Sequence, residues 1–242
     1  MLSADRRILV IETSSRYGAA ALADEGGVIA SARLPGEIRH AGELLPAVDG
    51  MLTRQAWPAD SLTEVYVSVG PGSFTGLRVG VTVARTLAWS VGTRVVAVPT
   101  ADALALNGLA ADPVPAHLAV LLDAKQSRVF AAAYEIGEGC CRTLIGAHQS
   151  DAGVFFSRCP RPLAVLGEGI PYHRSAVDAA GVTVLSEDLW RPRIENVYRL
   201  GRQLAEQGEF TIAGDLLPLY IRRPEAEEKW EKLYGPTGRR RR

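Results

Sequence analysis

The stretch VGPGSFTGLRVGVTVARTLA, residues 69–88, decides how the rest of the chain is read. It follows an apolar run, VYVSV (65–69), and leads straight into a helical pattern over 76–91. Glycine loops between a strand and a helix often hold phosphates, so its spacing matters. A Walker loop needs G-x-x-x-x-G-K-[ST]. Counting on from Gly70 reaches Thr75, from Gly72 reaches Leu77, and the segment contains no lysine. The dinucleotide pattern G-x-G-x-x-G also fails by one residue, because the third glycine is Gly76. The spacing therefore favours a tight strand-to-helix turn, with Arg78 a solvated or ion-paired side chain.

The helix after the turn carries small residues at Gly76, Gly80, Ala84 and Ala88, four apart, so one face is almost bare. Leu77 and Val81 lie beside that face, and Val79, Val83, Leu87 and Val91 occupy another. A helix apolar over most of its circumference is buried on more than one side. One side must cover a sheet. The bare side is expected to admit a second helix, either the one at 43–55 or a helix of a partner chain.

Working outward, strands are expected at 7–12, 17–23 and 27–34, and a helix over 40–55 with Ala41, Leu44, Leu45, Val48 and Leu52 on one face. Pro46 requires that helix to begin near Glu43 or to bend. A strand at 94–98 leads into a helix from Thr100 to about Ala110. After the two prolines of ADPVPA (111–116) the pattern restarts. Strands at 117–123, 128–135 and 141–147 precede a short helix near 151–157. A strand at 163–166, a helix near 171–180, a strand at 182–185 and a helix over 194–207 complete it.

Both halves read β-β-β-α-β-α-β-α. That order makes the chain an α/β protein of two tandem ribonuclease-H-like units, the actin-like plan. The units are expected at 1–99 and 100–221, with a charged, flexible tail at 222–242. The first strand of each half ends in an acid, Glu12 and Asp123, and the fourth is followed by Gly-x-Gly, at 70–72 and 167–169. In the actin-like plan such acids approach metal and phosphates in a cleft between the halves. The fold licenses the cleft and not the activity.

Composition excludes several classes. The chain has 242 residues, 47% hydrophobic and 22% charged, with zero formal net charge, so no global field draws it to nucleic acid or membrane. Three cysteines, Cys140, Cys141 and Cys159, make neither a disulfide framework nor a CxxC pair. The apolar run after Arg6 and Arg7 is only ILVI, and no stretch approaches the ~18 residues of a membrane span. A cytoplasmic location is the expectation.

GPGSFTGLRVGVTVARTLA closely resembles the motif of the TsaB (YeaZ) family, and ILVIETSS, RHAGELLP, LDAKQSRVF, GEG and PLYIRR follow the family's order. The resemblance implies a catalytically silent paralogue of TsaD, the subunit that transfers the threonylcarbamoyl group in making N6-threonylcarbamoyladenosine on tRNA. It implies pairing with a TsaD-like subunit through helices 43–55 and 76–91, so that Leu44, Leu45, Val48, Leu52, Leu77, Gly80, Val81, Ala84 and Ala88 form the interface. It further implies a TsaE-like ATPase as third member, a homodimer when isolated, and contact with tRNA through the complex. No cofactor is required. Weak nucleotide binding would fall to a vestigial cleft of Glu12, Thr13, Ser14, Asp123, Gly167 and Gly169.

Two positions depart from the family. Glu12 stands where aspartate is usual, and one methylene moves a carboxylate by about 1.5 Å. Phe130 stands where tyrosine is common. TsaD-like subunits hold metal through H-x-x-x-H, whereas here His40 is followed four residues on by Leu44. His117, His148 and His173 lack ligand spacing, so no metal site is expected and a metallopeptidase reading is disfavoured. No nucleophile elbow is present, and Ser14, Ser15 and Ser73 read as turn and cap residues. The alternative function is an actin-like ATPase or phosphotransferase using Glu12 and Asp123. The tail from Arg222 reads first as a solvated segment that folds only on binding; the lesser reading is that its terminal arginines (239–242) add attraction for RNA phosphates.

Overall fold

The computed structural model describes residues 6–34, 40–219 and Trp230. The first half contains β1 (Ile8–Glu12), β2 (Ala19–Asp24), β3 (Gly27–Arg33), α1 (His40–Arg54), β4 (Glu64–Gly70), α2 (Phe74–Val91), β5 (Arg94–Pro99) and α3 (Thr100–Ala105). The second contains β6 (His117–Asp123), β7 (Val129–Gly137), β8 (Cys140–Ser150), α4 (Ala152–Ser157), β9 (Ala164–Leu166), α5 (Arg174–Ala180), β10 (Thr183–Val184) and α6 (Ile194–Glu206). The two five-stranded sheets run β3-β2-β1-β4-β5 and β8-β7-β6-β9-β10, one order used twice.

The pairing follows from the chain. β1 meets β2, and β2 meets β3, antiparallel across short turns. β1–β4 and β4–β5 are parallel and so need the α1 and α2 crossovers. β1 and β4 are buried along their whole length, as their mainly apolar character requires of central strands covered on both faces. β3, at the edge, alternates between exposed and half-buried residues.

Pro46 does not start α1, which runs from His40 to Arg54 with the proline inside it. The carbonyl that loses its amide partner belongs to Gly42, which is exposed and can turn to water. Gly92, left-handed at φ 77°, ends α2. Thr100 is the first residue of α3 and not its cap; its hydroxyl accepts the Gly70 amide at 3.1 Å.

The halves share helices. On one face of the first sheet, Leu44, Val48, Met51 and Leu52 of α1 and Val81 and Ala84 of α2 pack on Leu9, Ile11 and Val67. The opposite face, with Ile8, Val10, Tyr66, Val96 and Val98, is covered by Ile194, Val197, Tyr198 and Ala205 of α6. Ala101, Leu104 and Ala105 of α3 join the core of the second sheet, with Leu118 and Val120. The chain thus passes from the first sheet to the second through α3, and α6 crosses back to the first. The segment after α6 also returns: Thr211 donates to Val95 at 2.8 Å, Leu216 is buried in the α1–α2 core, and Leu219 donates to Val69 at 2.6 Å. Apart from Trp230, the expected tail at 222–242 lies outside the described residues.

The α6 contact makes a prediction. A Cβ on Gly201 would stand 2.5 Å from Cδ2 of the Tyr66 ring, and that ring is pinned by its hydroxyl donating to Glu64 at 2.6 Å. Gly201→Leu should cost about 2–3 kcal/mol, read as a shift of the urea midpoint. An unchanged midpoint would mean that α6 does not seal the first sheet.

Candidate functional site

The glycine loop closes on the end of β1. A Cβ on Gly72 would collide with the Ser14 carbonyl, and one on Gly76 with the Thr13 carbonyl. At Gly80 it would come 2.5 Å from Thr13 Oγ1, 3.2 Å from Ile11 Cγ2 and 3.4 Å from Val67 Cγ2. The Ser73 amide donates to the Ser14 carbonyl at 2.6 Å, and the Ser73 hydroxyl caps α2 by accepting the Gly76 amide at 3.2 Å. The glycines at the start of α2 therefore lie against the end of β1. Farther along the stripe, Ala84 and Ala88 belong to the core that α2 shares with α1 and the sheet.

The same burial redistributes the expected interface. Leu44, Val48, Leu52, Leu77, Gly80, Val81 and Ala84 are buried within the first half and are not surface groups. Of that set, Leu45 is 55% exposed and Ala88 half-buried. The surface of α2 is formed by other residues. Phe74 is 39% exposed, with the Arg78 guanidinium 3.8 Å from its ring centroid. Val79 and Val83 are half-buried and Thr82 exposed. With Thr75 they line a shallow groove of about 390 Å³. Farther along, Trp89 is 65% exposed beneath Arg85, whose guanidinium lies 4.8 Å from the ring. The sequence signal for this face is the i, i+4 series Val79, Val83, Leu87, which marks a second apolar stripe without saying that it stays outside.

Glu12 is turned inward and is fully buried. One carboxylate oxygen accepts the Ser14 amide at 2.6 Å and the Ser14 hydroxyl at 2.5 Å; the other accepts the Ser68 hydroxyl. Burial raises its pKa, and the donors from Ser14 and Ser68 oppose that rise. Thr13 and Ser14 are buried beside it. A raised carboxyl binds its proton in the folded state at pH values where the unfolded chain has lost it, so stability falls as pH rises from the ordinary value of 4.5 through the folded one. Glu12→Gln removes that titration. The variant should gain stability relative to the parent over this window, measured by urea unfolding from pH 4 upward.

Asp123 sits at the mouth of the second half. Burial alone would raise its pKa, but Lys125, through its side chain and amide, and His173 hold it below the usual value. Lys125 Nζ lies 2.8 Å from Oδ2, and His173 Nε2 lies 3.6 Å from Oδ1. Gly167 and Gly169 fold onto the backbone of Leu121 and Leu122, with the Gly169 amide donating to Leu121 at 3.0 Å. The Arg191 guanidinium stacks 3.9 Å from the ring centroid of Tyr17 in the first half, and its Nε meets Glu168 at 3.3 Å. Glu12 bonds into its own half and Asp123 into the other. Among the described residues no cluster of three or more histidine, cysteine, aspartate or glutamate side chains could hold a metal. The His40 side chain lies outside them. No described helix is long and apolar enough to cross a membrane.

Two sheets of one order, with helices shared between the halves, define a tandem ribonuclease-H-like protein of the actin-like type. Comparison with known proteins narrows this. Residues 14–153 match the family described as "TsaD: tRNA N6-adenosine threonylcarbamoyltransferase". The chain is 30% identical over 229 residues to the tRNA threonylcarbamoyladenosine biosynthesis protein TsaB of Bacillus subtilis, covering 92% of this chain and 97% of that one. To the Escherichia coli protein of the same name it is 25% identical over 237 residues, covering 95% and 99%. The structure of YeaZ from Pseudomonas aeruginosa superposes with a TM-score of 0.74 at 24% identity, over 89% of this chain and 99% of that one. The chain belongs to the TsaB (YeaZ) family.

Proposed function

We propose that this chain is a non-catalytic scaffold subunit in the synthesis of N6-threonylcarbamoyladenosine on tRNA, holding a TsaD-like catalytic subunit in its working arrangement. The observation that carries this reading is the outer face of α2, where Phe74 and Trp89 are exposed and Val79 and Val83 half-buried. Leu45 of α1 is exposed as well. Aromatic side chains beside arginines, around a small apolar groove, are the composition of a protein-docking core. Family membership supplies the partner's identity, a TsaD-like subunit. A TsaE-like ATPase joins the pair, tRNA is met through the assembly, and the isolated chain pairs with itself through the same face.

Chemistry by this chain alone has less support. A phosphotransferase would need the first-strand acid in the cleft, and Glu12 is sealed under Ser14 and Ser68. The loop that would cradle phosphates is packed against Thr13 and Ser14. Any nucleotide would bind weakly, on the Asp123 side. The test is to mix the purified chain with its TsaD-like counterpart and follow association by sedimentation. A stable complex is expected; two components sedimenting independently would overturn the scaffold reading.

A further inference from the structure

Glu12 is joined to the start of α2 by an unbroken chain of contacts. Its carboxylate takes three donors, from the Ser14 amide, the Ser14 hydroxyl and the Ser68 hydroxyl on β4. The carbonyl of the same Ser14 receives the amide of Ser73, the cap of α2, at 2.6 Å. The carbonyls of Thr13 and Ser14 are also the surfaces onto which Gly76 and Gly72 close. A displacement of the 13–14 peptide would therefore move the first turns of α2, because backbone has no alternative rotamer with which to absorb it. Those turns carry Phe74, Arg78 and Val79 of the groove.

We propose that Glu12 is a positioning residue: it fixes the seat of α2 on the strand end and so sets the docking face for the catalytic partner. This inference rests on the docking role of α2 and adds a use for the first-strand acid, which here anchors the helix. The length of the side chain is part of the device. Glu12 spans from Ser14 on its own loop to Ser68 on the neighbouring strand, and an aspartate would stop about 1.5 Å shorter.

The experiment compares three variants by two readouts. Glu12→Gln keeps an acceptor for Ser14 and offers a donor to Ser68, and should behave within about threefold of the parent in affinity for the TsaD-like subunit. Glu12→Met keeps the length without the acceptors, and should weaken association about tenfold or more. Ser68→Ala removes one donor and serves where the methionine variant folds poorly; a loss of about threefold is expected. Val165→Ala, in the core of the second half, controls for lost stability and should leave affinity unchanged. Amide exchange provides the readout that needs no partner: residues 74–80 should exchange about tenfold faster in Glu12→Met, with α5 unaltered. Parental exchange at 74–80 in a folded Glu12→Met or Ser68→Ala variant would overturn the proposal. So would equal loss of affinity in Val165→Ala. If the parent itself does not associate, the docking reading fails, and the exchange rates still decide whether Glu12 seats α2.

Discussion

Replacing Gly76 by alanine should destabilise the protein by about 3 kcal/mol or more, against the normal sense of a glycine-to-alanine change inside a helix. Alanine ordinarily stabilises a helix by about 1 kcal/mol, through lower entropy in the unfolded chain. At Gly76 that gain is outweighed because the new Cβ would overlap the Thr13 carbonyl oxygen. Backbone lies on both sides of the contact, so relief requires α2 to lift off the strand end. Gly50 in α1 is the matched control. Its Cβ would meet only the flexible end of Arg54 at 3.5 Å, and Gly50→Ala should stabilise by about 0.5–1 kcal/mol. Chemical denaturation of the two variants decides the matter. Changes of the same sign and size would mean that the glycine motif does not serve close packing.

The second large effect is on assembly. Val79→Asp combined with Val83→Asp places two carboxylates in the α2 groove, where a partner would have to desolvate them. Association with the TsaD-like subunit should weaken by about a hundredfold or more. Both side chains are half-buried and pack on the core of the first half, so a lower midpoint of thermal unfolding is also expected, and affinity is measured at a temperature where the variant is folded. Calorimetric titration of the double variant measures the loss. Undiminished affinity in a folded variant would move the docking face elsewhere. The residues expected from periodicity alone would have given a poorer experiment. Ala84 and Val81 are buried against the sheet, and substitution there would confuse unfolding with lost binding.

That contrast shows what a single sequence carries. The order of elements was legible because each strand is an apolar run of strand length between turn residues, and each main helix keeps its period. The duplication was legible for the same reason. Spacing favoured a tight turn over a phosphate loop, and in the structure Gly72 and Gly76 close on the Ser14 and Thr13 carbonyls. What the stripe of small residues approaches was not legible. Smallness at i, i+4 announces a close neighbour without naming it, and the neighbour is a carbonyl some sixty residues upstream. Glu12 posed a similar difficulty. An acid at a first-strand end is compatible with a cleft or with a buried anchor, and the deciding partner, Ser68, lies on another strand. The apolar face of α6 was evident, but not that it covers the first sheet. In each case the missing information is a contact between distant parts of the chain.

The central claim is that this chain acts by organising a catalytic partner through the outer face of α2. The most direct test is the amount of N6-threonylcarbamoyladenosine formed on tRNA by the TsaD-like subunit and its ATPase, with and without this chain. The account predicts modification with the parent chain, and little or none without it or with the Val79→Asp, Val83→Asp variant. Equal modification in the absence of the chain would contradict it.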